Sequence, residues 1–313
     1  MAKAQTGLQI RAASRSFSRH PVLRAELEAA FPGTVFNEEG VTFDAETLPE
    51  FLDGAVGAVI GLEPITGPVL DQCPSLQIVA KYGVGLDNVD TYACEEHNVT
   101  IGWTGGVNRL GVAEMTLCFM IGLSRNILRA GNQLRGGVWE KEGGRTLSGK
   151  TIGIIGVGHV GREVIRLLEP FDCHILVNDI IDQSAYYEEV GAIEKTAEEI
   201  CAEADLITIH TPLDDTTRGM VNDDFLDRMQ PHAYLINAAR GGIIDQQALK
   251  FALTSGTIAG AAVDVFQAEP CDDRELLQLP NLFATPHIGG SAEESVLAMG
   301  RSAINNLISF FNR

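Results

Sequence analysis

Lys150-Thr-Ile-Gly-Ile-Ile-Gly-Val-Gly-His-Val-Gly-Arg162 is the stretch that decides the fold. Its apolar run 152–155 reads as a buried strand, and Gly156, Gly158 and Gly161 then form a G-x-G-x-x-G turn into a helix. The first glycine permits the tight turn, the second lets the backbone approach a pyrophosphate, and the third allows helix and strand to pack closely. The helix, residues 160–168, turns its positive end and the backbone of His159 and Val160 toward the phosphates. A second apolar strand, 174–178, runs into Asp179, eighteen residues after Gly161, with Ile180 beside it. An acid at that place accepts from the ribose hydroxyls of NAD. Residues 180–184 offer no Arg or Lys to neutralise a 2′-phosphate, and Asp182 adds charge. NAD is therefore expected over NADP, by roughly tenfold or more.

Around this motif, strand-like segments at 151–155, 174–178, 206–210, 233–237, 260–265 and 282–285 alternate with helical ones. Six strands in that pattern predict a doubly wound parallel sheet. The first hundred residues repeat the alternation, with strands at 8–12, 55–60 and 76–80 and a helix from His20 to about residue 31. A break near Gly105-Gly106 precedes one long apolar helix, 112–129. A glycine-rich, charged arm at 134–146 carrying Trp139 follows, and residues 291–311 form a last helix. The fold class expected is α/β, two doubly wound parallel-sheet domains.

Three polar residues stand at strand-like ends: Arg240 in Asn237-Ala-Ala-Arg-Gly-Gly, Glu269 after the strand 260–265, and His287 in Thr285-Pro-His-Ile-Gly-Gly290. An arginine grips a carboxylate with a two-pronged hydrogen bond. A histidine exchanges a proton near neutral pH, and a glutamate orients it. The set suits carbonyl chemistry, whereas the G-x-S-x-G elbow of a Ser-His-Asp hydrolase is missing.

These segments, with Lys81-Tyr-Gly-Val-Gly-Leu-Asp-Asn-Val-Asp90 and His210-Thr-Pro-Leu213, make the chain resemble the D-isomer-specific 2-hydroxyacid dehydrogenases along nearly its whole length. The resemblance implies that Arg240 binds substrate, that Glu269 and His287 are the acid/base pair, and that the backbone of Val84 and Gly85 receives the substrate carboxylate, flanked by Lys81, Tyr82 and Gly83. Asp264 would bond the nicotinamide carboxamide. His210, Thr211, Pro212, Thr217, Ala238, Ala239, Gly289 and Gly290 would line the cofactor pocket. A Rossmann-type NAD domain, 107–287, would be inserted in a flavodoxin-like substrate domain, 1–106 with 288–313, and the long helix and arm would make a homodimer. Lys81 takes a position where phosphoglycerate dehydrogenases commonly carry an arginine facing the substrate phosphate. The loop Gly61-Leu-Glu-Pro-Ile65 lacks the second arginine such enzymes often show. A phosphoglycerate dehydrogenase-like enzyme is expected, with a glyoxylate or hydroxypyruvate reductase or a D-lactate dehydrogenase as alternatives. The regulatory domains that some phosphoglycerate dehydrogenases carry beyond this point are expected to be absent. An NAD-sensing scaffold is the alternative of another class. Formate dehydrogenase chemistry resembles a site with Gln where this chain has Glu269.

Net charge is −19, from 42 acidic against 23 basic residues, which argues against nucleic acid or anionic membrane as partner. The expected partner is a small anionic 2-hydroxy or 2-oxo acid, so the cleft must be locally positive through Arg240 and Lys81. Apolar residues make up 45%, enough for ordinary cores, with no run near the roughly 20 needed to span a bilayer. Residues 1–7 lack a signal core. The six cysteines form no C-x-x-C pair, so reduced thiols, no metal and a cytoplasmic location are expected.

Overall fold

Strand burial follows from the two parallel sheets. The computed structural model describes residues 7–312, so the reading of residues 1–6 lies outside the described residues. The chain divides into two compact units, one running to residue 108 and resuming at 293, the other spanning 109–292. The sequence reading put these crossings at 106/107 and 287/288. The second falls later because residues 287–289 are bonded to Asp264 of the larger unit.

The first unit holds β1 (Ile10–Ala12), β2 (Val35–Phe36), β3 (Gly57–Ile60), β4 (Ile78–Lys81) and β5 (Thr100–Gly102), all parallel, in the order β2-β1-β3-β4-β5. This is the flavodoxin-like order. Every residue of β3 and β4 is buried, as expected for strands covered on both faces. Alternate residues serve opposite cores: Val59, Ile78 and Ala80 on one face, Ala58, Ile60 and Val79 on the other. The helix Glu293–Phe311 seals the first face with Ala303, Ile304 and Leu307. Side chains of Leu307 and Phe311 lie where a Cβ on Gly57 would sit, so the helix rests directly on β3.

The second unit holds β6 (Thr151–Ile155), β7 (His174–Asn178), β8 (Ile193–Glu194), β9 (Leu206–Ile209), β10 (Tyr234–Asn237), β11 (Gly260–Val263) and β12 (Leu282–Ala284). All pair in parallel in the order β12-β11-β10-β9-β6-β7-β8, the dinucleotide-fold order with one strand added beyond the sixth. The added strand is β12; β8, the edge strand next to β7, is the one the six expected strands lacked, because its two exposed residues carry no periodic signal. The chain order reverses at β6, between β7 and β9, which opens a crevice at the carboxyl ends of β6 and β9.

One element differs in kind from the sequence reading. The expected helix 112–129 is two helices, Arg109–Ser124 and Ile127–Arg135, bent by 65° at a break where Asn126 takes φ 52°. Asparagine tolerates that left-handed conformation better than most residues. The arm holds the break: Arg145 N–H donates to Ser124 O at 2.7 Å and Arg125 Nε to Gly143 O at 2.7 Å. Among the described residues no single helix is long and apolar enough to cross a membrane.

Because Leu307 is fully buried against the first sheet, Leu307→Ala is expected to cost about 2–5 kcal/mol of stability in urea unfolding. A loss under about 1 kcal/mol would mean that the helix does not seal that face.

Candidate active site

Arg240, Glu269 and His287 each follow one of three adjacent strands. Arg240 comes three residues after β10, Glu269 six after β11 and His287 three after β12. Backbone geometry at each strand end is enforced by a buried polar side chain. Asn237, fully buried, donates from Nδ2 to Arg240 O at 2.9 Å and accepts from Ala239 N–H at 3.0 Å, which folds the Ala238-Ala239 turn that presents Arg240. A Cβ on Gly241 would overlap the Phe266 carbonyl, so only glycine lets this turn approach the end of β11.

Asp264, 1% exposed, does the same for His287. Its carboxylate accepts from Thr285 Oγ1 at 2.6 Å, Ile288 N at 2.8 Å and Gly289 N at 2.8 Å. Its carbonyl accepts from His287 N–H at 2.7 Å. Three of about four lone-pair positions are thereby filled, leaving one outward. This clasp holds His287 at φ 53°, a left-handed conformation that side chains other than glycine and asparagine seldom adopt.

The His287 Nδ1 lies 2.7 Å from Glu269 Oε2, and Glu269 Oε1 accepts from Phe266 N–H at 3.1 Å. An ionised carboxylate only accepts, so Nδ1 carries the hydrogen and Nε2 is left to give or take a proton. Both side chains keep solvent contact, 49% for the histidine and 38% for the glutamate. A cavity of about 510 Å³ opens beside the pair, with Phe266, Cys271, Leu277 and Thr285 among its walls.

The glycine turn lies at the crevice. Gly156 takes φ 92°, and a Cβ there would stand 2.8 Å from Thr211 N, so β6 and the residues after β9 are in close contact. A Cβ on Gly161 would overlap the Gly156 carbonyl, while the side of Gly158 is open. Thr211 Oγ1 is buried with no hydrogen-bond partner. An open glycine face beside an unsatisfied buried hydroxyl fits a pyrophosphate. Asp179 accepts from Val157 N–H at 2.6 Å and from Ile181 N–H at 3.0 Å, tying the acid to the turn. Ile180 is 95% exposed next to it.

Four sequence-predicted residues have other employment. Lys81 is only 4% exposed, and its ammonium donates to Gly61 O and, at 2.5 Å, to Asn88 Oδ1. Asn88 Nδ2 donates to Glu63 O at 2.5 Å, and the 7% exposed Glu63 accepts from Gly61 N–H at 2.5 Å. Lys81 therefore braces the loops after β3 and β4 instead of standing as an exposed cation. Tyr82 packs edge-on against Phe17, centroids 5.4 Å apart, and burial raises its phenol pKa. Thr217 Oγ1 donates to Pro212 O at 2.7 Å and accepts from Asp214 N–H at 2.9 Å, so it caps the turn after β9. His210 pairs with Thr208 Oγ1 at 3.0 Å, and burial pushes its imidazole down to about 4. It is neutral at pH 7 and unsuited to proton exchange.

Val84 and Gly85 keep N–H groups that donate to nothing among the described residues, while Val84 O accepts from Trp103 Nε1 at 2.8 Å. The roles of Asn237 and Gly241 sit in a quoted motif and were missed there. Trp103 and Asn88 gave no signal, since their partners are distant in sequence.

With the site in view, the comparisons with known proteins are specific. Residues 117–289 match the model of the D-isomer specific 2-hydroxyacid dehydrogenase NAD binding domain. The D-3-phosphoglycerate dehydrogenase of Methanocaldococcus jannaschii is 35% identical over 82% of this chain, and the chain spans about half (49%) of its length. The glyoxylate reductase of Pyrococcus furiosus is 33% identical over 91% of this chain and 87% of its own. The solved NADPH-dependent glyoxylate/hydroxypyruvate reductase of Sinorhizobium meliloti is 29% identical, with a TM-score of 0.85 over 97% of this chain and 95% of the other. The chain belongs to the D-isomer-specific 2-hydroxyacid dehydrogenases. Its cofactor class is a nicotinamide dinucleotide.

The low pKa of His210 sets a pH dependence. Between the ordinary value of 6.5 and about 4 the unfolded chain binds a proton that the folded chain refuses. Stability from the neutral ring is thus complete above pH 6.5 and is lost as pH falls toward 4. About 2 kcal/mol should disappear between pH 7 and pH 5, an upper value because the ring keeps some solvent contact. His210→Asn is expected to flatten that slope in unfolding curves at the two pH values. Identical slopes would show the imidazole to be solvated.

Proposed function

We propose that this chain is an NAD-dependent D-2-hydroxyacid dehydrogenase acting on a small unphosphorylated 2-oxo or 2-hydroxy acid of the glyoxylate or hydroxypyruvate type. The observation that carries the reaction class is the 2.7 Å Glu269–His287 pair held in a left-handed turn beside the arginine strand end. NAD, when bound, supplies or accepts the hydride at the substrate carbon. In reduction the His287 Nε2 proton passes to the carbonyl oxygen. In oxidation Nε2 takes the hydroxyl proton, while Glu269 keeps the ring oriented and balances its charge. Arg240 grips the carboxylate of the acid.

The small-substrate reading is supported by the burial of Lys81. The cation expected to face a phosphate is turned into a hydrogen-bonded brace between two loops, and its neighbour Glu63 adds a buried carboxyl. Relatives named glyoxylate and hydroxypyruvate reductase stand beside others named D-3-phosphoglycerate dehydrogenase, so the choice between them rests on Lys81. The same proposal includes a homodimer, with exposed Val138 and Trp139 of the arm as contact residues, and a cytoplasmic setting in keeping with six free cysteines.

Assays of NADH oxidation with glyoxylate, hydroxypyruvate, pyruvate and 3-phosphohydroxypyruvate test the reading. Efficiency is expected to be highest with an unphosphorylated acid, and a clear preference for the phosphorylated one would overturn the substrate class. His287→Ala should lower kcat by about 10²–10⁴-fold with little change in NADH affinity. Arg240→Lys should chiefly raise KM for the 2-oxo acid, about tenfold or more, because an ammonium cannot reproduce the planar fork. Unchanged turnover in His287→Ala would sink the acid/base assignment.

A further inference from the structure

Arg162 is the residue after the third glycine of the turn, and the structure carries it to the loop that follows Asp179. Its Nε and Nη2 both donate to Gln183 Oε1, at 3.1 and 2.5 Å, and its Cζ lies 4.2 Å from the centre of the Tyr186 ring. Gln183 stands four residues after Asp179 and immediately precedes the helix Ser184–Val190. Asp179 is tied to the same turn through Val157 N–H. The fork and the aromatic ring fix the guanidinium over the segment that follows Asp179, where an adenosine ribose bound by that carboxylate would lie. Two of its five N–H donors are engaged by Gln183, and the exposed group has donors left for a ligand. The nearby Tyr187 phenol is raised chiefly by burial and next by Asp179, while Arg162 opposes the rise, so one buried hydroxyl senses both charges. Residues 180–184 hold no cation of their own, and Arg162 brings one to them from another element.

We infer that Arg162 is a cofactor-selectivity residue, a standing cation for a 2′-phosphate whose effect is masked by the Asp179 carboxylate. The inference rests on the dinucleotide reading of the glycine turn. Its consequence is that neutralising Asp179 alone admits NADP(H), with no basic residue added at Ile180. The native carboxylate repels a 2′-phosphate at close range, and Arg162 attracts it at the neighbouring position, so the balance turns on one charge.

Fluorescence titration with NADH and NADPH separates the cases, since it reads binding and not turnover. The native protein is expected to bind NADH at least tenfold more tightly than NADPH. Asp179→Asn should close that gap by tenfold or more, and Asp179→Ser, which keeps a small acceptor for Val157 N–H, repeats the comparison should the amide disturb the turn. Adding Arg162→Ala to either should cancel most of the NADPH gain, whereas Arg162→Lys should retain part of it, as a charge and not a packing role requires. An NADPH gain that persists without Arg162, or no gain in either Asp179 variant, overturns the inference while normal NADH binding leaves the dinucleotide site standing. A native protein that binds neither cofactor removes the dinucleotide reading, and the inference with it.

Discussion

The buried Asp264 carboxylate is the constraint on which the reactive pair depends. A carboxylate at 1% exposure has a large desolvation cost unless donors surround it, and here Thr285, Ile288 and Gly289 supply three. Those donors come from the loop after β12, so satisfying the charge and shaping the loop are one event. The loop in turn holds His287 in a left-handed backbone conformation, which a free chain would leave, and the histidine meets Glu269 at 2.7 Å. Strain at the histidine is thus balanced by hydrogen bonds from Thr285 before it and from Ile288 and Gly289 after it.

Buried or part-buried polar side chains brace the loops where several strands end. Asn237 folds the turn before Arg240, Asp179 ties the second strand to the glycine turn, and Lys81 with Asn88 braces the loop that ends in Val84 and Gly85. Asn237 and Asp179 take backbone groups that strand pairing leaves open at the carboxyl ends, and Lys81 takes both the Gly61 carbonyl and the Asn88 amide oxygen. The part-buried His210 is neutral for a related reason, since desolvation makes a charged ring there costly. Rigidity of this kind lets short loops hold reacting groups without help from long secondary elements.

Much of this was legible in the residues. The glycine turn, strands β6 and β7 to the residue, and the order of Arg240, Glu269 and His287 follow from apolar periodicity, glycine spacing and strand-end polarity, whereas the return of the last helix to the first sheet was what the family resemblance implied. Short β2, β5 and β8 escaped notice because two or three residues give no period to read. The long helix was misjudged as continuous because composition does not report the left-handed Asn126, which the arm bonds from sixteen residues away.

The sequence by itself determined the layering and the family and named the candidate reacting groups, since these depend on local patterns: which residues are apolar at what spacing, and where glycine must stand. Tertiary structure alone decided what the charged residues do. Lys81 reads as a substrate cation and is a loop brace; Asp264 reads as a cofactor contact and is first the clasp of the histidine loop; Arg162 lies in the helix after the glycine turn and is held on Gln183 and Tyr186 of the segment after Asp179. The physical reason is range. Apolar patterning is set by neighbours along the chain, whereas the work of a charge is set by the donors, acceptors and solvent that folding brings to it from distant positions.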